Sequence, residues 1–226
     1  MNNIPAPAAV VFDMDGLMLN TEDVFDLAGD ELLARRGLKM TDPIRHQMIG
    51  RRPHEAFTAM KELTGITDRI EDLMDETREL FAAHAATSLA CMPGLINLLN
   101  RVERAGLPRA VATSSPRGYM EDLLSRFELL QRFQVTLTAE DVNQGKPHPE
   151  IYLTAADRLQ IRPDQMLVLE DSETGAKAAA AAGARVVAVP NQHTAFGDFS
   201  MAALTVNSLE DERLLSLIPG QKGEWS

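Results

Sequence analysis

The chain has 226 residues, 45% hydrophobic and 24% charged, which suits a soluble globular protein of one large domain or of a domain carrying a smaller insertion. Its formal net charge of −11 excludes nucleic acid as a partner, because a phosphate polymer needs a surplus of Lys and Arg; a small phosphate ester stays open if a metal ion and a few cations are focused locally. A single cysteine, Cys91, excludes an internal disulfide, and no apolar run reaches the length of a membrane span.

The first residues, MNNIPAPAAVVFDMDG, lack the basic and apolar regions of a signal peptide, so the expectation is a cytoplasmic protein. AVVFD (9–13) reads as a buried strand. From about 20 to 88 no strand-like run occurs; four helical patterns follow one another, with Thr21, Thr41 and Thr67 where N-caps belong. PGLINLLNRVERAG (93–106) is a helix with Pro near its start and Gly106 at its stop. RAVATS (109–114), QVTLT (134–138), MLVLED (166–171) and RVVAVP (185–190) repeat the strand type, and the Ala-rich segment 173–184 is a helix ending at Gly183. Near-continuous apolar strands alternating with helices predict an α/β fold: a Rossmann-like parallel sheet core, covered on both faces. The helical block predicts an insertion. The expected division is a core of residues 1–16 and 89–226, with an inserted four-helix cap at 17–88.

In parallel α/β sheets, ligands bind beyond the carboxyl ends of the strands. Asp13 and Asp15 follow the first strand there; Thr113, Ser114 and Ser115 follow the second; Lys146 lies in QGKPHPEIY; Glu170 and Asp171 follow the fourth. Carboxylates gathered at one place cannot all stay ionised without a cation, and all-oxygen ligation suits a hard ion such as Mg²⁺. Thr113, Ser114 and Lys146 are the complementary donors for a phosphate. The partner these residues predict is a small phosphorylated substrate.

DMDGLMLNTE (13–22), ATSS (112–115), GKPHPEIY (145–152) and LEDSETGAKAAAAAG (169–183) resemble, in order, the four motifs of the haloacid dehalogenase-like superfamily. D-x-D-G alone is a weak signal, but its pairing with a later K-P and E-D-S is specific. The resemblance implies a Rossmann-like core with a helical cap inserted after the first motif. It also implies roles. Asp13 would be the nucleophile that forms an aspartyl-phosphate, and Asp15 the general acid and then base. Thr113, Ser114 and Lys146 would hold the phosphate. Mg²⁺ would be ligated by Asp13, Asp171 and the backbone carbonyl of Asp15, with Glu170 ligating or orienting a metal-bound water. The second Asp separates this chain from the dehalogenases of that superfamily and points to a phosphatase or phosphomutase.

Two departures matter. Where the branch reads D-T-E or D-S-E, Asn20 replaces the Asp, which implies altered hydrogen bonding at the hinge into the cap with the chemistry intact. Where the β-phosphoglucomutase type carries a His on the cap's first helix, this chain has Phe25, which weakens the mutase alternative. A non-catalytic binding protein is the third reading. Gly50, Arg51, Arg52 and Pro53 form a basic break that resembles the cap loop contacting the leaving group, so Arg51 and Arg52 are the candidate substrate contacts of the cap.

Overall fold

The structure is a computed structural model that describes residues 6–48 and 53–220. Six strands form one parallel sheet: β1 (Ala9–Phe12), β2 (Arg109–Ala112), β3 (Val135–Leu137), β4 (Met166–Glu170), β5 (Arg185–Ala188) and β6 (Leu204–Thr205). Their order is β3-β2-β1-β4-β5-β6. The sheet therefore grows outward in both directions from β1, and the crevice where the strand order reverses opens between β1 and β4, the place where such folds bind ligands. β1 and β4 are buried along their whole lengths, as central strands covered on both faces must be.

The helices in chain order are α1 (Thr21–Ala34), α2 (Asp42–Met48), α3 (Pro53–Thr64), α4 (Ile70–Ser88), α5 (Leu95–Arg104), α6 (Arg117–Arg126), α7 (Glu150–Leu159), α8 (Glu173–Ala181) and α9 (Glu212–Leu215). On one face of the sheet, Val11, Ala110, Ala112 and Val168 pack with Ile151, Tyr152 and Ala155 of α7 and with Ala176, Ala178 and Ala179 of α8. The alanine run thus lets α8 lie close against the strands, while alternation along β1 sends Phe12 the other way, edge-on to Phe133 at 5.8 Å.

The chain divides into two compact units, residues 1–19 with 91–226, and residues 20–90. The second unit is helical, α1 to α4. Val24, Ala28, Leu32 and Leu33 of α1 and Leu73, Thr77, Leu80, Phe81 and Ala85 of α4 recur at helical spacing and are buried. Arg36 ties the end of α1 to Asp68 at 2.7 Å and to Glu76 of α4 at 2.8 Å.

The structure corrects three local expectations. Thr21 is the first residue inside α1, and Asn20 occupies the cap position without capping. Asn20 is engaged elsewhere: its Oδ1 accepts the Ala90 N–H at 2.7 Å and its Nδ2 donates to the Ser88 carbonyl at 3.2 Å. Thr67 is likewise not a cap, because α4 starts at Ile70 after Arg69. Thr41 does stand directly before α2, where its carbonyl accepts the Arg45 N–H at 3.0 Å. The strands also end earlier than their apolar runs, at Phe12, Ala112 and Glu170. β6, with two residues, is too short to carry a periodic signal. Among the described residues no helix is long and apolar enough to cross a membrane.

Candidate active site

Register decides which side chains meet. Phe12 lies level with Val111 of β2 and with Leu169 of β4, so Asp13, Ala112 and Glu170 come next at the same edge. Asp13 continues the ladder for one bond, its N–H donating to the Leu169 carbonyl at 3.0 Å. Thr113 does the same toward Leu137, also at 3.0 Å. Asp13, Thr113, Glu170 and Asp171 are all buried.

Lys146 is the hub of this edge. Its Nζ lies 2.6 Å from Asp13 Oδ1, 2.6 Å from Glu170 Oε1 and 3.0 Å from the Ala112 carbonyl, which uses all three ammonium protons. The Tyr152 hydroxyl donates to the same Glu170 oxygen at 2.5 Å, and the Tyr152 ring lies beneath the ammonium at 5.2 Å. Glu170 Oε2 takes the Ser172 hydroxyl at 3.0 Å and the Ser172 N–H at 3.3 Å. Ser172 also caps α8, accepting the Gly175 N–H at 3.0 Å. The carboxylate of Glu170 sits so close over α8 that a Cβ at Gly175 would lie 1.8 Å from Oε1.

Burial pushes the Asp13 carboxyl well above the ordinary carboxylate range; Lys146 pulls it back, while Glu170 and Asp15 push with burial. Burial works against the charge of Lys146 as well, but Asp13 and Glu170 outweigh it and hold the ammonium protonated well above its ordinary range. Burial and then Glu170 raise the Tyr152 phenol, so it is a neutral donor.

Asp15 points to a second set of donors. Ser115 Oγ donates to Asp15 Oδ2 at 2.7 Å, Thr113 Oγ1 donates to the same oxygen at 3.1 Å, and the Tyr119 hydroxyl donates to Oδ1 at 3.3 Å. Ser115 N–H in turn donates to Thr113 Oγ1 at 3.0 Å. The structure therefore brings Asp13, Asp15, Thr113, Lys146, Glu170 and Asp171 to one edge, and places Ser114 on the exposed side of the same turn. Arg51 and Arg52 lie outside the described residues.

Asp13, Glu170 and Asp171 offer carboxylate oxygens within 4.8 Å of one another. Three buried carboxylates against one ammonium leave an excess of negative charge, which fits a hard divalent cation. Glu170 already spends both oxygens on Lys146, Tyr152 and Ser172. Its neighbour Asp171 meets Asn191 instead, whose Nδ2 donates to Oδ2 at 3.0 Å and to the Gly16 carbonyl at 3.1 Å. Gly16 has φ +78° and no room for a side chain, since a Cβ would stand 2.5 Å from Asp171 Oδ2. Tyr119, Tyr152, Ser172 and Asn191 escape the sequence reading. Only Tyr152 and Ser172 stand inside quoted motifs; Asn191 sits 20 residues beyond its partner with no local signal.

Residues 10–189 match the family profile of the haloacid dehalogenase-like hydrolases. The chain belongs to that family. It is 32% identical to a bifunctional riboflavin kinase/FMN phosphatase of Arabidopsis thaliana, over 92% of this chain but only 55% of the relative, so it spans about half of that protein. It is 31% identical to a phosphorylated carbohydrates phosphatase of Thermotoga maritima, over 77% of this chain and 81% of the relative. Among solved structures, CbbY from Rhodobacter sphaeroides in complex with phosphate superposes with a TM-score of 0.79 at 27% identity, covering 94% of this chain and 99% of that one.

Proposed function

We propose that this haloacid dehalogenase-like hydrolase is a Mg²⁺-dependent phosphatase of a small phosphorylated metabolite, a sugar phosphate or similar monoester, working through an aspartyl-phosphate on Asp13. The observation that carries the proposal is the Lys146 ammonium held 2.6 Å from Asp13, with Thr113 and Asp15 beside it at the end of the central strands. The Thermotoga relative, a phosphorylated carbohydrates phosphatase, supports the substrate class.

In this reading an Asp13 oxygen attacks phosphorus and the ester P–O bond breaks. Asp15 gives a proton to the departing alcohol oxygen. Asp15 then takes a proton from water, the water oxygen attacks phosphorus, and the bond to Asp13 breaks to release inorganic phosphate. Thr113, Ser114 and Lys146, the last by giving up one of its three present bonds, donate to the phosphoryl oxygens and offset the repulsion between an anionic nucleophile and an anionic ester. Thr113 has one proton, so donating it to phosphate releases its bond to Asp15. Asp13, Asp171 and the Asp15 carbonyl are the proposed holders of Mg²⁺, with Glu170 orienting from behind. The ion, when bound, polarises the phosphoryl group and favours the ionised form of Asp13.

The helical unit is the proposed cap, with Arg51 and Arg52 gripping the distal part of the substrate. Phe25, which packs against Phe81 with ring centroids 4.3 Å apart, offers no imidazole for the mutase alternative. The proposed compartment is the cytoplasm. The test is phosphate release from a panel of phosphorylated sugars, nucleotides and short acids, with Mg²⁺ and with EDTA. Metal-dependent release concentrated on one or two compounds is expected. Isomerised sugar phosphates without free phosphate would overturn it in favour of the mutase, and silence in both assays would favour a binding protein.

A further inference from the structure

We infer that Asn191 is a positioning residue for the metal: it fixes the rotation of the Asp171 carboxylate and locks it to the turn that carries Asp15. The inference rests on the proposed assignment of Asp13 and Asp171 as the groups that hold Mg²⁺. Asn191 follows β5 by three residues and contributes a carboxamide whose Nδ2 bridges Asp171 Oδ2 at 3.0 Å and the Gly16 carbonyl at 3.1 Å. The orientation of that carboxamide is not arbitrary. Its Oδ1 accepts the His193 backbone N–H at 2.8 Å, and a backbone N–H can only donate, so the amide nitrogen must face Asp171 and Gly16.

The surrounding chain holds the carboxamide in place. The Asn191 N–H donates to Thr194 Oγ1 at 3.1 Å, and the Asn191 carbonyl accepts from the N–H groups of Thr194 at 3.2 Å and Ala195 at 2.9 Å. Val189 N–H reaches back to the Glu170 carbonyl at 2.7 Å, so this loop and the Glu170–Asp171 pair share one anchor. A Cβ on Gly16 would stand 2.8 Å from Asn191 Nδ2 as well as 2.5 Å from Asp171, which measures how tightly the three groups meet.

The donor's charge is the chemical point. Two adjacent acids on one turn receive different partners: Glu170 an ammonium, Asp171 a neutral amide. Glu170 spends both oxygens on Lys146, Tyr152 and Ser172, while Asp13 meets the same ammonium through Oδ1. An amide orients the carboxylate and leaves its charge in place. Asn191 therefore orients Asp171 without supplying a charge of its own, and its bond to the Gly16 carbonyl fixes the backbone just after Asp15.

The experiment is calorimetric Mg²⁺ binding to the full chain and to Asn191→Ala, Asn191→Leu and Thr194→Val, with thermal unfolding of each protein free of metal. Loss of a partner that orients a metal ligand weakens affinity roughly 10–100-fold, and that loss is expected for both Asn191 variants. Their metal-free unfolding midpoint should fall, since each loses the bonds to Asp171 and the Gly16 carbonyl, but unfolding should remain one cooperative transition, and kcat should return at high Mg²⁺. Thr194→Val, which loosens the loop but leaves the amide, should weaken binding by no more than about 3-fold, short of the loss expected when the orienting partner itself goes. The inference is overturned if the Asn191 variants bind Mg²⁺ like wild type, or if Thr194→Val does as much damage as they do. Wild-type protein that takes up no Mg²⁺ would instead overturn the metal assignment itself.

Discussion

Lys146 Nζ stands 2.6 Å from Asp13 Oδ1, although 133 residues separate the two in sequence, and the same nitrogen stands 2.6 Å from Glu170. One buried cation thus compensates two buried carboxylates. Lys146→Met should abolish turnover. Removing one member of a buried charge set also costs about 3–5 kcal/mol, because the others are left uncompensated. Urea unfolding measures the loss, and Mg²⁺ should restore part of it by supplying charge at the same edge. A variant as stable as wild type would contradict the role of Lys146 as the compensating charge.

Ser115 and Ser114 are neighbours with different surroundings. Ser115 Oγ donates to Asp15 at 2.7 Å, whereas Ser114 is exposed. A hydrogen bond contributes roughly 0.5–1.5 kcal/mol, so Ser115→Ala, which removes a donor that holds Asp15 in place, is expected to lower kcat by up to about tenfold. Ser114→Ala should act instead on KM, through the proposed phosphate contact. Steady-state kinetics on one phosphate ester separates the two effects; equal loss in kcat for both would contradict the assignment.

Gly175 and Gly118 both lie in helices, where alanine is intrinsically better by about 1 kcal/mol. Their surroundings reverse the outcome at one of them. A Cβ at Gly175 would collide with the Glu170 carboxylate at 1.8 Å, while one at Gly118 would meet nothing within 4 Å. Overpacking of this kind costs typically 1–3 kcal/mol and here also displaces the partner of Lys146. Gly175→Ala should therefore lower both Tm and activity, and Gly118→Ala should raise Tm slightly with activity unchanged. Thermal scans with a parallel activity assay decide it.

Asn20 both accepts from Ala90 and donates to the Ser88 carbonyl, and an aspartate can do only the first. Asn20→Asp should cost on the order of 1 kcal/mol by setting a carboxylate against that carbonyl. Turnover at saturating substrate should be retained. A variant of unchanged stability would show that the Ser88 bond contributes nothing.

Much of this could be read along the chain. The apolar runs located the five longer strands, because a strand buried on both faces must be apolar at nearly every position. Periodicity separated them from the helical stretch, and the end of each run marked where Asp13, Thr113 and Glu170 would emerge. The sequence misplaces Thr21 as a cap because the Asn20 side chain bonds to Ser88 and Ala90, far along the chain, and a cap motif describes only its own first turn.

By itself, the sequence determined the residue types and the sheet edge they occupy, since both follow from local period and from the direction of parallel strands. Which oxygen meets which donor was decided only in three dimensions. The register of β1 against β4 set Asp13 beside Glu170, and the Cβ-free backbone at Gly16 and Gly175 let two carboxylates approach. The return of the chain after β5 delivered Asn191 to Asp171. Hydrogen bonds act over about 3 Å, and only tertiary packing brings groups that lie far apart in the chain to that distance.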